Sequence, residues 1–219
     1  MRLVLASAST ARRRVLIDAG VDPIVMVSAV DEEAMTAALG EISPAALALE
    51  LARAKARDVG PRVAGPSAEL VIVGCDSVFE LDGVAYGKPL TAAVAIERIT
   101  AMSGRTGYLH TGHWVLHAGR EAGRTTTTEV EFARMRPQEI AAYVATGEPL
   151  QVAGAFTLDG RAAPYVRGIV GDPSNVLGIS LPTMRELLDE VGVHWQRLWT
   201  SADDSSPPAV GTDAGSAGR

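Results

Sequence analysis

One carboxylate and one lysine stand in surroundings that call for a chemical role. Val71-Ile72-Val73 is an unbroken β-branched run, the kind a strand buried on both faces requires, and it leads into Gly74-Cys75-Asp76-Ser77. A carboxylate at the exit of a buried strand must be paired, hydrogen-bonded or bound to a cation, which makes Asp76 a candidate functional residue. Further along the chain, Lys88 precedes Pro89, whose ring forces the residue before it into extended backbone and so fixes the direction of the ammonium. A carboxylate and a fixed lysine on neighbouring segments suit a metal-complexed polyanion.

A second group lies near the N-terminus. Residues 2–6 read as a short buried strand, and Ser7-Ala8-Ser9-Thr10 place hydroxyls at a helix N-cap. Arg12, Arg13 and Arg14 then fall in the first helical turn and Asp18 in the last, before a stop at Gly20. That order opposes the helix dipole at roughly 0.3–1 kcal/mol per charge. Free N–H groups, hydroxyls and guanidinium forks at one helix start would form an anion site, most naturally for phosphate; the alternative is that the arginines simply reach solvent. Asp31-Glu32-Glu33 follow a second strand, residues 23–30, and by themselves read as a solvated turn. Lys55 and Arg57 suit the end of a helix opened by Ser43-Pro44, with Leu47, Leu51 and Ala54 as its apolar stripe. His110, His113 and His117 invite a metal reading. On one extended strand, however, His113 and His117 are about 13 Å apart and His110 is on the other face, so one ion cannot collect all three.

Composition bounds the function classes. At 219 residues and 47% apolar content, the chain can bury one large core or two small ones sharing a cleft. A net charge of -6, and an arginine cluster without interleaved aromatics, argue against nucleic-acid or membrane-surface binding. The single cysteine, Cys75, allows no intramolecular disulfide. No signal-peptide pattern opens the sequence and no segment approaches the roughly 20 apolar residues of a membrane span, so a cytoplasmic protein is expected.

The remaining elements alternate early and turn antiparallel later. Thr91 caps a helix burying Val94, Ile96, Ile99 and Met102; residues 108–117 and 125–132 form a strand pair; residues 137–146 form a helix. Residues 152–160 read as a strand turning at Asp159-Gly160, with Tyr165-Val166-Arg167 as its hairpin partner. Residues 171–175 are a loop of turn formers, Pro182 begins the last helix, and residues 201–219 have the composition of a disordered tail. The expected fold class is α/β, with a mixed, partly antiparallel central sheet flanked by helices and two lobes with a cleft between them, in one domain over residues 1–200. GVAYGKP at residues 83–89 is not a P-loop: one residue is missing between the glycines, and proline replaces the Mg²⁺-binding hydroxyl.

Eight short motifs in order resemble the Maf family of nucleoside triphosphate pyrophosphatases: LASASTARRRVL (5–16), Asp31-Glu32, Ala54-Lys55-Ala56, GCDS with GKP (74–77 and 87–89), SGRT (103–106), TGEP (146–149), AGAFTLDG (153–160) and GDPSNVLGISLP (171–182). The resemblance implies an inosine-triphosphatase-like fold, and hydrolysis of a nucleoside triphosphate between the α- and β-phosphates with a divalent cation, Mg²⁺, Mn²⁺ or Co²⁺. It assigns Asp76 as proton acceptor and metal ligand, Glu32 as a second metal ligand, and Lys55 and Lys88 as catalytic cations. Ser7, Arg12 and Arg13 match phosphate-binding positions, and Ser77 matches a position where substrate is read. The resemblance also suggests a homodimer, and links to septum formation give an alternative: a nucleotide-binding regulator of cell division with little turnover. An aspartate beside a metal ion is expected to keep a low pKa.

Departures from the family pattern bear on the base. Relatives acting on thymidine and uridine triphosphates usually carry Ser-Pro-Arg-Arg, Asp-Thr and Ile-Gln-Gly, where this chain has Ser9-Thr10-Ala11-Arg12, Asp76-Ser77 and Leu158-Asp159-Gly160. An ionised Asp159 accepts hydrogen bonds but cannot donate one as a Gln amide would, so it disfavours a pyrimidine carbonyl.

Overall fold

The computed structural model describes residues 1–63 and 65–200; the tail expected to be disordered, 201–219, lies outside the described residues. Among the described residues, seven strands form one mixed sheet. They are β1 (Arg2–Leu5), β2 (Ile24–Val25), β3 (Leu70–Leu81), β4 (Val84–Tyr86), β5 (Thr106–His117), β6 (Arg120–Phe132) and β7 (Val166–Val170), in the order β2-β1-β3-β5-β6-β7, with β4 on β3. The β1 pairings with β2 and β3 are parallel and the other pairings antiparallel, so the mixed, helix-flanked α/β class expected from sequence is the class observed.

β3 differs from its expected form. It does not stop at Gly74 but continues to Leu81, because β5 matches it residue for residue from Ile72 through Glu80. On its other edge, β1 pairs only as far as Val73, with Ala6 N–H on the Val73 carbonyl at 2.8 Å, and β4 begins to pair at Phe79. Residues 74–78 therefore sit in a strand paired along one edge only. Asp76 is at the middle of that window.

Helix α3 (Pro44–Val59), capped by Ser43, covers one face of the sheet. Its inward stripe is Leu47, Ala48, Leu51, Ala52, Lys55, Ala56 and Val59; Ala54, expected in the stripe, is only partly buried. The alanines at 48, 52 and 56 let the helix backbone approach the sheet at Gly112 and Gly74. A Cβ on Gly112 would lie 2.1 Å from the Ala48 carbonyl oxygen, and one on Gly74 2.1 Å from that of Ala52. Gly74 thus marks a close backbone approach within a strand, not its end.

The opposite face carries two apolar clusters. One gathers Leu5, Val73 and Val115 under Leu16 of α1 (Thr10–Asp18) and Met184, Leu187 and Leu188 of α7 (Leu181–Glu190). The other gathers Phe79, Leu109 and Phe132 under Ile99 of α4 (Ala92–Met102) and Tyr143 of α5 (Pro137–Ala145). Phe79, Phe132 and Phe156 meet edge to face, with centroids 4.9–5.8 Å apart. Ile96, expected inside, is exposed because Ala95, Ile99 and Met102 set the buried face of α4.

Three further expectations change. The second strand shrinks from residues 23–30 to Ile24–Val25, since β1 ends at Leu5 and offers Met26 N–H a last carbonyl. Residues 152–160 are not a strand: Gly154 and Ala155 take positive φ (69° and 60°), which breaks extended backbone, and a Cβ on Gly154 would lie 2.7 Å from the Phe79 ring. Val166–Val170 consequently pairs with β6. Asp31 caps a helix absent from the sequence reading, α2 (Glu32–Leu39), by accepting from Ala34 N–H at 2.9 Å; the acids form its first turn, where the dipole favours them. The turn-forming loop contains a short helix, α6 (Pro173–Val176), capped by Asp172.

Gly112→Ala and Gly74→Ala should each lower stability by about 1–3 kcal/mol or more, because the atoms in the way are helix backbone. Equilibrium unfolding in urea checks this, and an unchanged midpoint in either variant would contradict the close approach of α3.

Candidate active site

Asp76 pairs across the sheet with Gly112, and its side chain points to the face under α3. The small stripe of α3 brings Lys55 down to it: Lys55 Nζ lies 2.5 Å from Asp76 Oδ1 and 2.7 Å from Glu32 Oε1 at the start of α2. The Lys55 and Asp76 side chains are 8% and 12% exposed, whereas Glu32 is 47% exposed, so the pair opens to solvent on the Glu32 side. Burial pushes Asp76 above the ordinary carboxylate range, against the opposing pull of Lys55 and Arg12. For Glu32 burial also acts upward. There the hydrogen bond and charge of Lys55, aided by Lys88 and Arg12, prevail and hold the carboxyl below its usual range. The low value expected for Asp76 beside a metal is therefore not what the chain's own groups impose.

Ser77, the next residue, points to the opposite face, where it meets Arg12. The Arg12 guanidinium is 8% exposed and donates from Nη2 to Ser77 Oγ at 2.9 Å, from Nη1 to Ser7 Oγ at 2.9 Å and from Nε to the Gly178 carbonyl at 2.6 Å. Ser9 caps α1 by accepting from Arg12 N–H, and Ser7 accepts from Ser9 N–H. These bonds use three of the five guanidinium protons and leave two. Among the described residues, no carboxylate lies within salt-bridge distance of Arg12, so a buried positive charge faces only neutral oxygens. A group so placed suits an anionic ligand.

The Ser77 hydroxyl already has protein partners on this face. Thr111 Oγ1 donates to the Asn175 carbonyl at 3.2 Å, so it accepts from Ser77 Oγ at 2.9 Å, and the Ser77 proton is committed inward. Toward a ligand Ser77 can only accept. Asn175, fully buried, directs its amide at the Leu109 and Thr126 carbonyls and at Thr128 Oγ1. Thr111, Thr126, Thr128, Asn175, Ser180 and Thr183 together form a polar belt between the two apolar clusters, level with Ser77. None of these was a candidate from sequence. The signal was an Asn leading into Val176-Leu177 and a row of threonines on β6 that read simply as strand.

The other candidates are placed as follows. Lys88 is exposed, on a loop tied down by Arg98, which donates to the Gly87 carbonyl at 2.7 Å and stacks on Tyr86, and by the bond from Leu90 N–H to the Leu150 carbonyl. Its charge reaches Glu32. Arg13 is not brought to the cluster: it is half exposed and reaches Asp22 at 3.4 Å. Arg14 pairs with Asp18. Asp159 is exposed on a loop that Glu148 organises by accepting from Thr157 Oγ1 and Arg161 N–H, and it makes no hydrogen bond or ion pair with the cluster among the described residues. The three histidines of β5 have separate partners: His110 meets Glu80 and Thr127, His113 meets Ser180 N–H, and His117 meets the Leu70 carbonyl. Cys75 is buried, and burial pushes its thiol up to about 11, so it is inert.

Asp76 and Glu32 are the oxygen donors available for a divalent cation. Among the described residues no group of three or more His, Cys, Asp or Glu side chains is gathered to cage an ion. Two carboxylates already shared by one ammonium fit a hard cation that keeps waters and completes its shell with phosphate oxygens. No helix among the described residues is long and apolar enough to cross a membrane.

The sequence matches a known family. A model described as Maf-like protein matches residues 2–191. Curated relatives include a protein of Streptomyces coelicolor, 53% identical over 93% of this chain and 97% of its own length; one of Nocardia farcinica, 52% identical over 90% and 96%; and one of Salinispora tropica, 48% identical over 98% and 94%. Each is named nucleoside triphosphate pyrophosphatase. With the family model spanning most of the sequence and about half the residues shared with these relatives, the chain belongs to the Maf-like family.

Proposed function

We propose that this chain is a nucleoside triphosphate pyrophosphatase, cleaving a nucleoside triphosphate to the monophosphate and pyrophosphate by water attack at the α-phosphorus. The observation that carries the reading is the pairing of two features across one open strand edge: a buried carboxylate–ammonium pair, Asp76 with Lys55, and a buried guanidinium, Arg12, that lacks a carboxylate partner among the described residues. The name shared by the relatives supports the same reaction. The window of β3 between the end of β1 and the start of β4 is the place for the triphosphate, in a cleft between two lobes of a single domain over residues 1–200.

Each residue then has a task. Asp76, raised by burial, accepts a proton from the attacking water, and Lys55 orients that carboxylate while limiting the rise. Arg12 offers its two remaining N–H groups, and Ser7 its hydroxyl, to phosphate oxygens. Lys88, fixed by Pro89 and the Arg98 contact, neutralises charge on the departing pyrophosphate. Glu32 and Asp76 would hold a divalent cation, which when bound supplies Lewis-acid neutralisation of the phosphate charge. Arg13 contributes long-range charge only. Asp159 is the candidate reader of the base, and a homodimer in the cytoplasm is the expected state.

Pyrophosphate release measured over a panel of nucleoside triphosphates with Mg²⁺, Mn²⁺ or Co²⁺ should be positive, with label from H₂¹⁸O in the monophosphate. Inorganic phosphate as first product, or label in pyrophosphate, would reject α–β cleavage by attack at the α-phosphorus. Asp76→Asn should lose about 10²–10⁴-fold in kcat and Lys88→Ala about 10²-fold; full activity in either removes that residue from the chemistry.

An NMR titration of the Asp76 carboxyl in the metal-free protein gives a further check. Its midpoint should lie above the ordinary aspartate range because the group is buried. Because Lys55 lowers that midpoint, Lys55→Met should move it to higher pH, and the variant should be about 3–5 kcal/mol less stable for leaving a buried carboxylate unpaired. A midpoint that stays put, or moves down, would contradict the coupling.

A further inference from the structure

His113, on the Arg12 face of the sheet, has no part in the chemistry described above. It is fully buried, and its Nε2 accepts Ser180 N–H at 2.8 Å. The ring is therefore neutral with its proton on Nδ1, and Nδ1 has no hydrogen-bond partner among the described residues. Burial, with the charge of Arg12 adding, pushes its pKa down to about 4, so the ring stays an acceptor at neutral pH. An orphaned buried N–H is costly, and a valine-sized hydrophobe would avoid it. The imidazole is explained by what its other nitrogen holds.

Ser180 ends the loop that closes on Arg12. Two residues earlier, Gly178 at φ +96° turns its carbonyl onto Arg12 Nε at 2.6 Å, and a Cβ there would lie 3.2 Å from the same Nε. The loop is held at its start by the bond from Thr128 to the Asp172 carbonyl and in its middle by Asn175. Its far end is held to the sheet by the bond from Ser180 N–H to His113. We propose that His113 is a positioning residue for Arg12: by holding Ser180 N–H it fixes the Gly178 carbonyl, and through that carbonyl it sets the direction in which the guanidinium presents its remaining N–H groups. The geometric link stands by itself; its effect on turnover rests on the pyrophosphatase reading.

The test uses the full-length chain with ¹⁵N-arginine, three variants of His113, and Arg12 variants as controls. The Arg12 Nε–H signal, identified by its absence in Arg12→Lys, should exchange slowly because it is donated to a buried carbonyl. In His113→Leu that exchange should speed up about tenfold or more. In His113→Gln, whose amide oxygen reaches the Nε2 position, it should stay within about threefold of wild type. His113→Asn, whose oxygen falls short of that position, should behave as Leu does, which keeps the comparison decisive if the Leu variant does not fold. In turnover, His113→Leu should lose about tenfold in kcat/KM, divided between kcat and KM as in Arg12→Ala, and about nothing more when added to Arg12→Ala. Unchanged Arg12 exchange in folded Leu and Asn variants, a Gln variant as poor as Leu, or effects of Leu and Arg12→Ala that multiply would each overturn the proposal. A wild-type protein without turnover would overturn the nucleotide reading alone, since the exchange measurement still decides the link from His113 to Arg12.

Discussion

The ammonium of Lys55 lies against buried Asp76 and half-exposed Glu32, and much of the fold keeps it there. A lysine buried to this degree is tolerated only with its charge matched, and a carboxylate on a core strand needs the same in return. The match depends on how close helix α3 comes to the sheet. Alanines 48, 52 and 56 on one side, and Gly74 and Gly112 on the other, remove every side chain that would hold the two backbones apart. With larger residues at those positions, Lys55 would stand farther from Asp76.

A second constraint is the unequal length of neighbouring strands. β1 ends at Leu5, so the β-branched run that it pairs with on β3 is left open on that edge just as the polar residues begin. The chain leaving β1 then turns through Ser7 and Ser9 into α1, which delivers Arg12 to the face opposite Asp76. Alternation along one strand thus sends a carboxylate to one side and a hydroxyl to the other, and both meet cations. The polar belt on the Arg12 side separates the two apolar clusters, and hydrogen bonds among its threonines and from the Asn175 amide N–H groups support its burial, although Asn175 Oδ1 has no partner among the described residues.

Legibility from sequence followed the range of the interactions. Local signals were readable: the Ser9, Ser43 and Thr91 caps, the β5–β6 pair and the final helix appear where their residues place them. Asp76 could be singled out because an acid after Val71-Ile72-Val73 violates the local pattern. Lys55 and Glu32 could not, since each has a sufficient local explanation, Lys55 at a helix end and Glu32 in a solvated turn, and only the resemblance to a family joined them to Asp76. Gly74 misled because glycine in a strand has two meanings, an end or a close approach, and the partner that decides between them lies on a helix some twenty residues earlier. Residues 152–160 misled for a similar reason: their apolar residues serve Phe156, which enters the Phe79 and Phe132 cluster directly after the positive-φ pair Gly154-Ala155 has broken the strand.

The central claim is spatial: a triphosphate lies along the open window of β3, with its α-phosphate at Asp76 and its outer phosphates among Arg12, Ser7 and Lys88. The most direct measurement is a crystal structure with an α,β-methylene nucleoside triphosphate and Mg²⁺. The account expects phosphate oxygens on the Arg12 guanidinium, and the α-phosphorus beside a water held by Asp76. A triphosphate bound elsewhere on the molecule, with Arg12 and Asp76 untouched, would contradict it.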